Sequence, residues 1–123
     1  MHCVFCDIQN HRIIDQGILL LVIRDRFPVT FGHTLFIPRR HVKTWFELSD
    51  AEKSELNILL SKHKCLLEKT DTTISGFNIG MNCGEDAGQT VMHCHVHLIP
   101  RRKGDIQNPK GGVRGVIPEK QKY

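Results

Sequence analysis

Three histidines, His93, His95 and His97, occupy every second position of the segment HCHVHLIP. If this segment is a β-strand, alternate side chains share one face and the three imidazoles form a row. Neutral imidazole is a nucleophile and exchanges protons near neutral pH, so such a row could attack a phosphate. The alternative is metal binding, but the outer two Cα atoms would lie roughly 13 Å apart. Two neighbours could share a zinc ion, whereas all three would need a bent strand.

The loop before these histidines, GEDAGQT, carries groups that can bind an anion. Gly84 and Gly88 allow the backbone to direct N–H groups at one ligand, and Gln89 and Thr90 add an amide and a hydroxyl. A lone histidine is usually a structural residue, but three in register beside such a loop favour a phosphate site.

The rest of the chain predicts an α+β domain that positions this row. Apolar runs rich in branched residues predict strands at residues 18–24, 34–38, 76–82 and 91–100. A capping-box spacing and leucines at three- and four-residue steps predict one amphipathic helix over about residues 50–69. The order strand, strand, helix, strand, strand favours an antiparallel sheet with the helix packed on one face.

Composition places the chain among globular proteins of one domain, with 123 residues and five cysteines. The odd cysteine count, the lack of a signal-peptide pattern and the lack of a long apolar run predict a soluble cytoplasmic protein without membrane contact. Residues 1–100 carry a net charge of −1, and residues 101–123 one of +5. We therefore expect a core over 1–100 and a basic tail that packs on it. The few scattered aromatic residues argue against specific nucleic-acid binding.

The segment GQTVMHCHVHLIPR resembles the signature of the histidine triad superfamily, His-φ-His-φ-His-φ-φ with φ apolar. The segments CVFCDI, DRFPVTFGHTLFIPRRH and GFNIGMNCGEDAGQTV resemble further blocks of these nucleotide-binding proteins, in the same order. The similarity covers nearly the whole chain and points to the Hint and dinucleoside-polyphosphate-hydrolase branches. It implies the histidine triad fold, an antiparallel sheet of about five strands with one long helix and a short N-terminal helix. It also implies a homodimer whose two sheets join.

The resemblance implies roles for individual residues. His95 matches the nucleophile that attacks the α-phosphorus and then carries the nucleotidyl group. His97 matches a residue that contacts the phosphate and helps the leaving group, and His93 would orient the row. The other matching positions are Gln89, Thr90 and Asn82 near the phosphate, Asp25 at the ribose, Phe5, Ile8 and Ile23 at the base, and His33 behind the triad.

One position departs from the family pattern. Arg26 stands where Hint proteins have an apolar residue of the base pocket. An inert, solvated end is one interpretation of the C-terminal tail. In the family, this segment often approaches the active site, and the resemblance then implies that Arg114 meets a phosphate there.

Cys3 and Cys6 form a CxxC pair, a spacing found in zinc sites and in redox motifs. A thioredoxin-type motif would follow a strand, and nothing strand-like precedes Cys3. Two unremarkable free cysteines are the other interpretation. The resemblance implies a structural zinc, because some bacterial-type histidine triad proteins hold one with this pair, a histidine near the IPRRH segment and the first triad histidine. The matching ligands are Cys3, Cys6, His41 and His93.

The sequence thus predicts a hydrolase that cleaves a nucleoside phosphoramidate or a dinucleoside polyphosphate at the α-phosphate and releases a nucleoside monophosphate. The expected ligand is a purine nucleotide or nucleotide conjugate, and the expected cofactor is a structural Zn²⁺ without an organic group. Two alternatives stay open. One is a zinc-dependent hydrolase with triad histidines as catalytic ligands, and the other is a non-catalytic nucleotide-binding signalling module.

Overall fold

A computed structural model describes residues 2–123 and contains one antiparallel sheet packed against one long helix. The sheet has the spatial order β1-β2-β3-β5-β4. The helix α1 spans Asp50–Thr70, between β3 and β4 in the chain. The strands are β1 (Ile13–Gln16), β2 (Leu20–Arg24), β3 (Thr34–Pro38), β4 (Ile74–Gly80) and β5 (Val96–Arg102). This is the predicted α+β architecture, and no helix among residues 2–123 is long and apolar enough to cross a bilayer.

The helix begins at the predicted capping box. The Ser49 hydroxyl accepts a hydrogen bond from the Glu52 N–H, and the Glu52 carboxylate accepts one from the Ser49 N–H. One face of the helix is buried against strands β2, β3 and β5 in the main core cluster. That cluster contains Leu20, Val22, Phe36, Leu56, Leu59, Leu67, Ile74, Val96 and Leu98. The helix therefore covers one face of the sheet.

The last strand differs from the prediction at both ends. It begins only at Val96, so His93 and His95 precede it, and it continues to Arg102. The later start follows from a hydrogen bond of the Cys94 N–H, which donates to the Val42 carbonyl at 2.7 Å. This bond holds the segment beside the loop after β3. The predicted apolar face is nevertheless confirmed, because Cys94, Val96 and Leu98 are all buried.

The N-terminal region contains a strand that the sequence did not predict. Strand β1 has only four residues, and Asp15 interrupts its apolar pattern where the pairing with β2 shifts register. The short N-terminal helix is a single 3₁₀ turn over Asn10–Arg12.

The C-terminal segment forms two 3₁₀ helices, Gly112–Val116 and Pro118–Lys120. The first lies beside β4. The guanidinium of Arg114 stacks over the Tyr123 ring at 4.7 Å and donates to the Lys120 carbonyl at 3.1 Å. Arg114 therefore contacts the tail itself and does not line the main cavity. The division of the chain at residue 100 stays a prediction.

Candidate active site and metal-binding cluster

An open cavity of about 630 Å³ lies on the histidine side of β5. Eight of the residues proposed for the site line this cavity: Phe5, Ile8, Asp25, His33, Asn82, Thr90, His95 and His97. They come from the N-terminal segment, the loop between β2 and β3, the segment between β4 and β5, and the start of β5. The sheet order explains the meeting, because β5 lies between β3 and β4.

Three other expected residues, Ile23, Gln89 and His93, do not line the cavity and lie behind its wall. Ile23 is completely buried with Leu35 and Ile37, and Phe5 and Ile8 pack on this cluster. Ile23 therefore supports the cavity floor from below.

Gln89 is also buried, and its amide is fully engaged by the backbone. Its Oε1 accepts from the Gly84 N–H at 2.8 Å, and its Nε2 donates to the carbonyls of Lys43 and Val91. In this structure Gln89 fixes the shape of the glycine loop and does not line the cavity. His93 is the third residue behind the wall, and it faces the cysteines.

The His95 ring is held by the backbone two residues earlier. Its Nδ1 lies 2.8 Å from the His93 carbonyl oxygen, which can only accept, so Nδ1 carries the proton. In the neutral ring, the other nitrogen, Nε2, then has a free lone pair. The edge of the Phe5 ring packs against the same imidazole at a centroid distance of 5.0 Å. His95 thus combines a fixed orientation with a nucleophilic nitrogen.

A chain of hydrogen bonds assigns the opposite tautomer to His97. The Val29 N–H donates to His33 Nδ1 at 3.0 Å, so the proton of the neutral His33 ring is on Nε2. His33 Nε2 lies 2.9 Å from His97 Nδ1, which must accept that proton's hydrogen bond. The proton of His97 is then on Nε2. His97 offers a donor at the cavity where His95 offers a lone pair.

Burial keeps His97 and His33 neutral. Burial lowers the pKa of His97 to about 4, with smaller contributions from the neighbouring His95 and His33, while Asp25 opposes the shift. Burial likewise lowers the pKa of His33, again against the effect of Asp25. The Asp25 carboxylate lies 3.4 Å from His33 Nε2, and its other oxygen accepts from the Phe27 N–H. Near neutral pH these imidazoles act as hydrogen-bond donors and acceptors without a net charge.

Cys94 lies between the first two triad histidines but is not a candidate nucleophile. Its side chain is buried beside Val42 and Leu48, and burial raises the pKa of the thiol to about 12. Because the thiolate is the reactive form, this cysteine is a core residue.

A second cluster forms where the N-terminal segment meets the residues after β3. One ligand atom from each of Cys3, Cys6, His41 and His93 lies within 4.8 Å of the other three. The Nδ1 atoms of His41 and His93 are 3.1 Å apart. The Cys6 sulfur lies 3.1 Å from His41 Nδ1 and 3.5 Å from His93 Nδ1, and the Cys3 sulfur lies 3.6 Å from His93 Nδ1.

These spacings fit one tetrahedral ion. Typical zinc bond lengths in a tetrahedron give N···N separations of about 3.4 Å and N···S separations of about 3.6 Å. His93 Nε2 lies 2.7 Å from the Pro38 carbonyl, so the proton is on Nε2 and Nδ1 keeps its lone pair for a metal. Two facing Nδ1 lone pairs only 3.1 Å apart repel each other unless a proton or a cation lies between them.

Asp25, His33 and His97 also have potential ligand atoms within 4.8 Å of one another. Their hydrogen bonds argue against a metal there. His33 Nε2, which faces Asp25 and His97, carries a proton, because His33 Nδ1 accepts a hydrogen bond from the Val29 N–H. The three triad rings therefore have three different partners, and they do not converge on one ion.

Sequence reasoning missed the backbone groups that set these tautomers. The carbonyls of Pro38 and His93 and the N–H of Val29 each fix one imidazole. A backbone group has no residue-type signal, so only the fold reveals it. Leu35, which lines the cavity floor, could have been predicted from its place in an apolar strand.

Comparison with known proteins agrees with this geometry. A family model described as the HIT domain matches residues 7–104. The chain is 45% identical over 79 residues to the nitrilase and fragile histidine triad fusion protein NitFhit of Caenorhabditis elegans, covering 64% of this chain and 18% of that protein. It is 44% identical over 79 residues to the asymmetrical bis(5'-nucleosyl)-tetraphosphatase of Schizosaccharomyces pombe, covering 64% of this chain and 43% of that protein. The chain thus spans less than half of either relative.

Among solved structures, a Zn-bound histidine triad family protein from Mycobacterium smegmatis is 32% identical, with a TM-score of 0.76. The match covers 86% of this chain and 79% of that one. The model match over residues 7–104 includes the whole sheet, the long helix and all three triad histidines. The chain therefore belongs to the HIT domain family, the histidine triad proteins.

Proposed function

We propose that the protein hydrolyses a nucleoside phosphoramidate or a dinucleoside polyphosphate at the α-phosphorus, through a nucleotidyl group carried on His95. The observation that carries the proposal is the pair of opposite tautomers at one cavity. His95 Nε2 has a free lone pair, and His97 Nε2 carries a proton. The similarity to a bis(5'-nucleosyl)-tetraphosphatase supports a dinucleotide as one substrate class.

In the first step, His95 Nε2 attacks the α-phosphorus, a P–N bond forms and the bond to the leaving group breaks. A phosphate leaving group departs as an anion with the bonding electron pair, and an amine takes up a proton from solvent. The His97 N–H donates a hydrogen bond to a phosphate oxygen while negative charge grows there, which is the kind of stabilisation that accelerates such reactions. Asp25 lines the same cavity, and in this proposal its carboxylate accepts hydrogen bonds from the ribose hydroxyls.

In the second step, water attacks the phosphorus of the nucleotidyl-histidine. The P–N bond breaks, its electron pair returns to His95 Nε2, and the nucleoside monophosphate leaves with one proton released to solvent. The hydrogen bond from His95 Nδ1 to the His93 carbonyl strengthens as the ring becomes positively charged in the intermediate. The backbone thus stabilises the covalent state without accepting a proton.

The Cys3, Cys6, His41 and His93 cluster holds a structural zinc in this proposal. Its support is the tetrahedral spacing, the His93 tautomer and the Zn-bound relative from Mycobacterium smegmatis. With four protein ligands, such a site is closed and supplies stability rather than chemistry. The ion would tie the N-terminal segment, which carries Phe5 and Ile8, to the segment that carries the triad.

A homodimer joined through β4 is the proposed assembly. Strand β4 is an edge strand of seven residues, and Ile79 on it is 54% exposed. The groove between β4 and α1 is lined mainly by apolar residues, including Trp45, Leu60 and Met81. Light scattering coupled to gel filtration tests this, and a monomer mass at micromolar concentration would contradict it.

The direct test of the mechanism is capture of the intermediate. The protein is mixed with adenosine phosphoramidate, quenched in mild base because acid cleaves the P–N bond, and digested with trypsin. Mass spectrometry of the triad peptide should find an adenylyl group on His95, with AMP in solution.

A nucleotide that binds with neither adduct nor AMP, from the phosphoramidate and from a dinucleoside polyphosphate alike, would contradict the proposal. That result would instead favour a binding module. An adduct located on His93 or His97 would contradict the assignment of the nucleophile.

A further inference from the structure

The cavity has a charged rim that the proposed mechanism does not use. Arg12, Arg26 and Asp7 line it together with the reactive histidines. Neither guanidinium forms an ion pair with a carboxylate in the part of the chain that the structure describes. Unpaired guanidinium groups at the edge of a ligand cavity are available to bind a ligand.

This rim lies at the end of the cavity that contains Asp25, Phe5 and Ile8, where the proposal places the nucleoside. Arg12 donates to the Arg24 carbonyl at 3.2 Å, so its guanidinium lies beside the main chain that leads into Asp25 and Arg26. Next to it, Phe5 and Ile8 pack on the buried cluster of Ile23, Leu35 and Ile37 and form an apolar surface. A planar base can lie on that surface with its polar edges at the rim.

The chemistry of the rim distinguishes the two purines. A guanidinium group has five N–H donors and no acceptor. Guanine presents two acceptors, O6 and N7, on one edge, whereas adenine presents one acceptor and an amino donor there. On its other edge guanine has N–H donors at N1 and N2, and a carboxylate such as Asp7 can accept hydrogen bonds from both. Adenine has an unprotonated N1 at that place, which repels a carboxylate.

We propose that the rim formed by Arg12, Arg26 and Asp7 selects guanine over adenine, with Arg26 as the main determinant. The proposal rests on the proposed function, because it takes the cavity to be a nucleotide site. Electrostatic attraction of phosphates by the same arginines is the competing explanation. That explanation predicts equal effects on guanosine and adenosine nucleotides, since their phosphates are identical.

The test measures the binding of GMP and AMP to the full chain by calorimetry, so that it does not depend on turnover. We expect GMP to bind about tenfold more tightly than AMP, as for one good bidentate arginine contact. Arg26→Met keeps the length of the side chain but removes the donors, and should reduce the preference to within twofold. Arg26→Lys keeps the charge without the planar fork, and should also lose most of the preference.

Lys103→Met is the matched control, because it removes a positive charge from an exposed turn outside the cavity and should leave the preference unchanged. Asp7→Asn is a second variant, which should weaken GMP binding and strengthen AMP binding, because it removes the carboxylate that accepts from guanine and repels N1 of adenine. Thermal melting of each variant checks the fold.

Equal affinity for GMP and AMP in the wild type would overturn the guanine proposal and leave the hydrolase proposal standing. A loss that is equal for both nucleotides in Arg26→Met would also overturn it, in favour of phosphate attraction. If neither nucleotide binds, the guanine selection is wrong, and the capture of the intermediate on His95 decides the proposed function separately.

Discussion

Two histidine clusters lie side by side in this protein and use the same side chain differently. In the cysteine-containing cluster, two imidazole nitrogens and two sulfurs face one another within 4.8 Å. In the reactive cluster of His33, His95 and His97, the rings instead form hydrogen bonds. His33 bonds to His97 and to the Val29 N–H, and His95 bonds to the His93 carbonyl. His93 and His95 are only two residues apart, yet they belong to different clusters. The first arrangement suits a cation, and the second suits a phosphate.

In each of the His93 and His95 rings, one nitrogen donates to a backbone carbonyl. That hydrogen bond decides which nitrogen keeps a lone pair for a metal or a phosphate. The Pro38 carbonyl holds the proton of His93 on Nε2, which leaves Nδ1 for a metal. The His93 carbonyl holds the proton of His95 on Nδ1, which leaves Nε2 for phosphorus. The two clusters are linked at His93, because this residue faces the cysteines and its carbonyl also orients His95, the proposed nucleophile.

Removal of His95, the proposed nucleophile, should have the largest effect. We expect His95→Ala to lower kcat by about 10³-fold or more, because loss of a nucleophile removes the covalent path itself. Zinc content and melting temperature should change little, since the ring makes none of the contacts of the cysteine cluster. Steady-state release of nucleoside monophosphate measures the rate.

His11→Ala is a suitable control, because His11 is exposed and lies outside the cavity. A loss of less than tenfold in His95→Ala would show that another group attacks the substrate.

Loss of one cysteine ligand should affect the cysteine-containing cluster, whereas loss of His95 affects the reactive cluster. Cys6→Ala should reduce bound zinc from one ion per chain to none, because three ligands no longer close the site. The melting temperature should fall by about 10 °C, as for a loss of roughly 2 kcal/mol in a domain of this size. Elemental analysis and thermal melting provide the two measurements.

Cys65→Ala controls for the substitution itself, since Cys65 is exposed on α1. Equal zinc content in the two variants, or a wild type without zinc, would contradict the metal assignment.

Acid should destabilise the fold through the reactive cluster. Burial, with smaller contributions from His95 and His33, lowers the pKa of His97 to about 4, while an unfolded histidine has a pKa of about 6.5. Between these values the unfolded chain binds the extra proton, so stability present above pH 6.5 is lost as the pH falls toward 4. From pH 7 to pH 4.5 the loss due to His97 should be about 2 kcal/mol.

Denaturant unfolding of wild type and His97→Gln at both pH values isolates this contribution. Any loss caused by other groups, including metal release, occurs in both proteins and cancels in the difference. An equal pH dependence in the two proteins would mean that His97 does not titrate in this window.

The sequence predicts the long helix and three of the strands well, because capping residues and apolar periodicity are local signals. Strand β1 escapes prediction because it is short and half polar, and it is ordered by pairing with β2. The start of β5 is predicted too early because the Cys94 N–H bonds to the distant Val42. Such long-range hydrogen bonds have no signature in the local pattern.

Within the site, the triad motif predicts which residues meet but not how each ring is protonated. His33 is expected behind the triad from the resemblance, yet its proton position depends on the backbone N–H of Val29. Gln89 shows the reverse case, since its polar side chain suggests phosphate contact while the fold uses it to hold the glycine loop. Residue types determine which chemistry a site could perform, and tertiary hydrogen bonds determine which of those uses each side chain has.

The smallest effect should come from the residue that orients His97 without touching the substrate phosphate. His33→Phe keeps a planar ring but removes the donor to His97 Nδ1 and the acceptor for Val29. One lost hydrogen bond of about 1.4 kcal/mol in the transition state lowers kcat about tenfold, while KM changes less. His33→Gln can restore a donor and should recover part of the rate. If both variants keep the wild-type kcat, the His97 tautomer is set without His33, and the contrast between the clusters would rest on His93 and His95 alone.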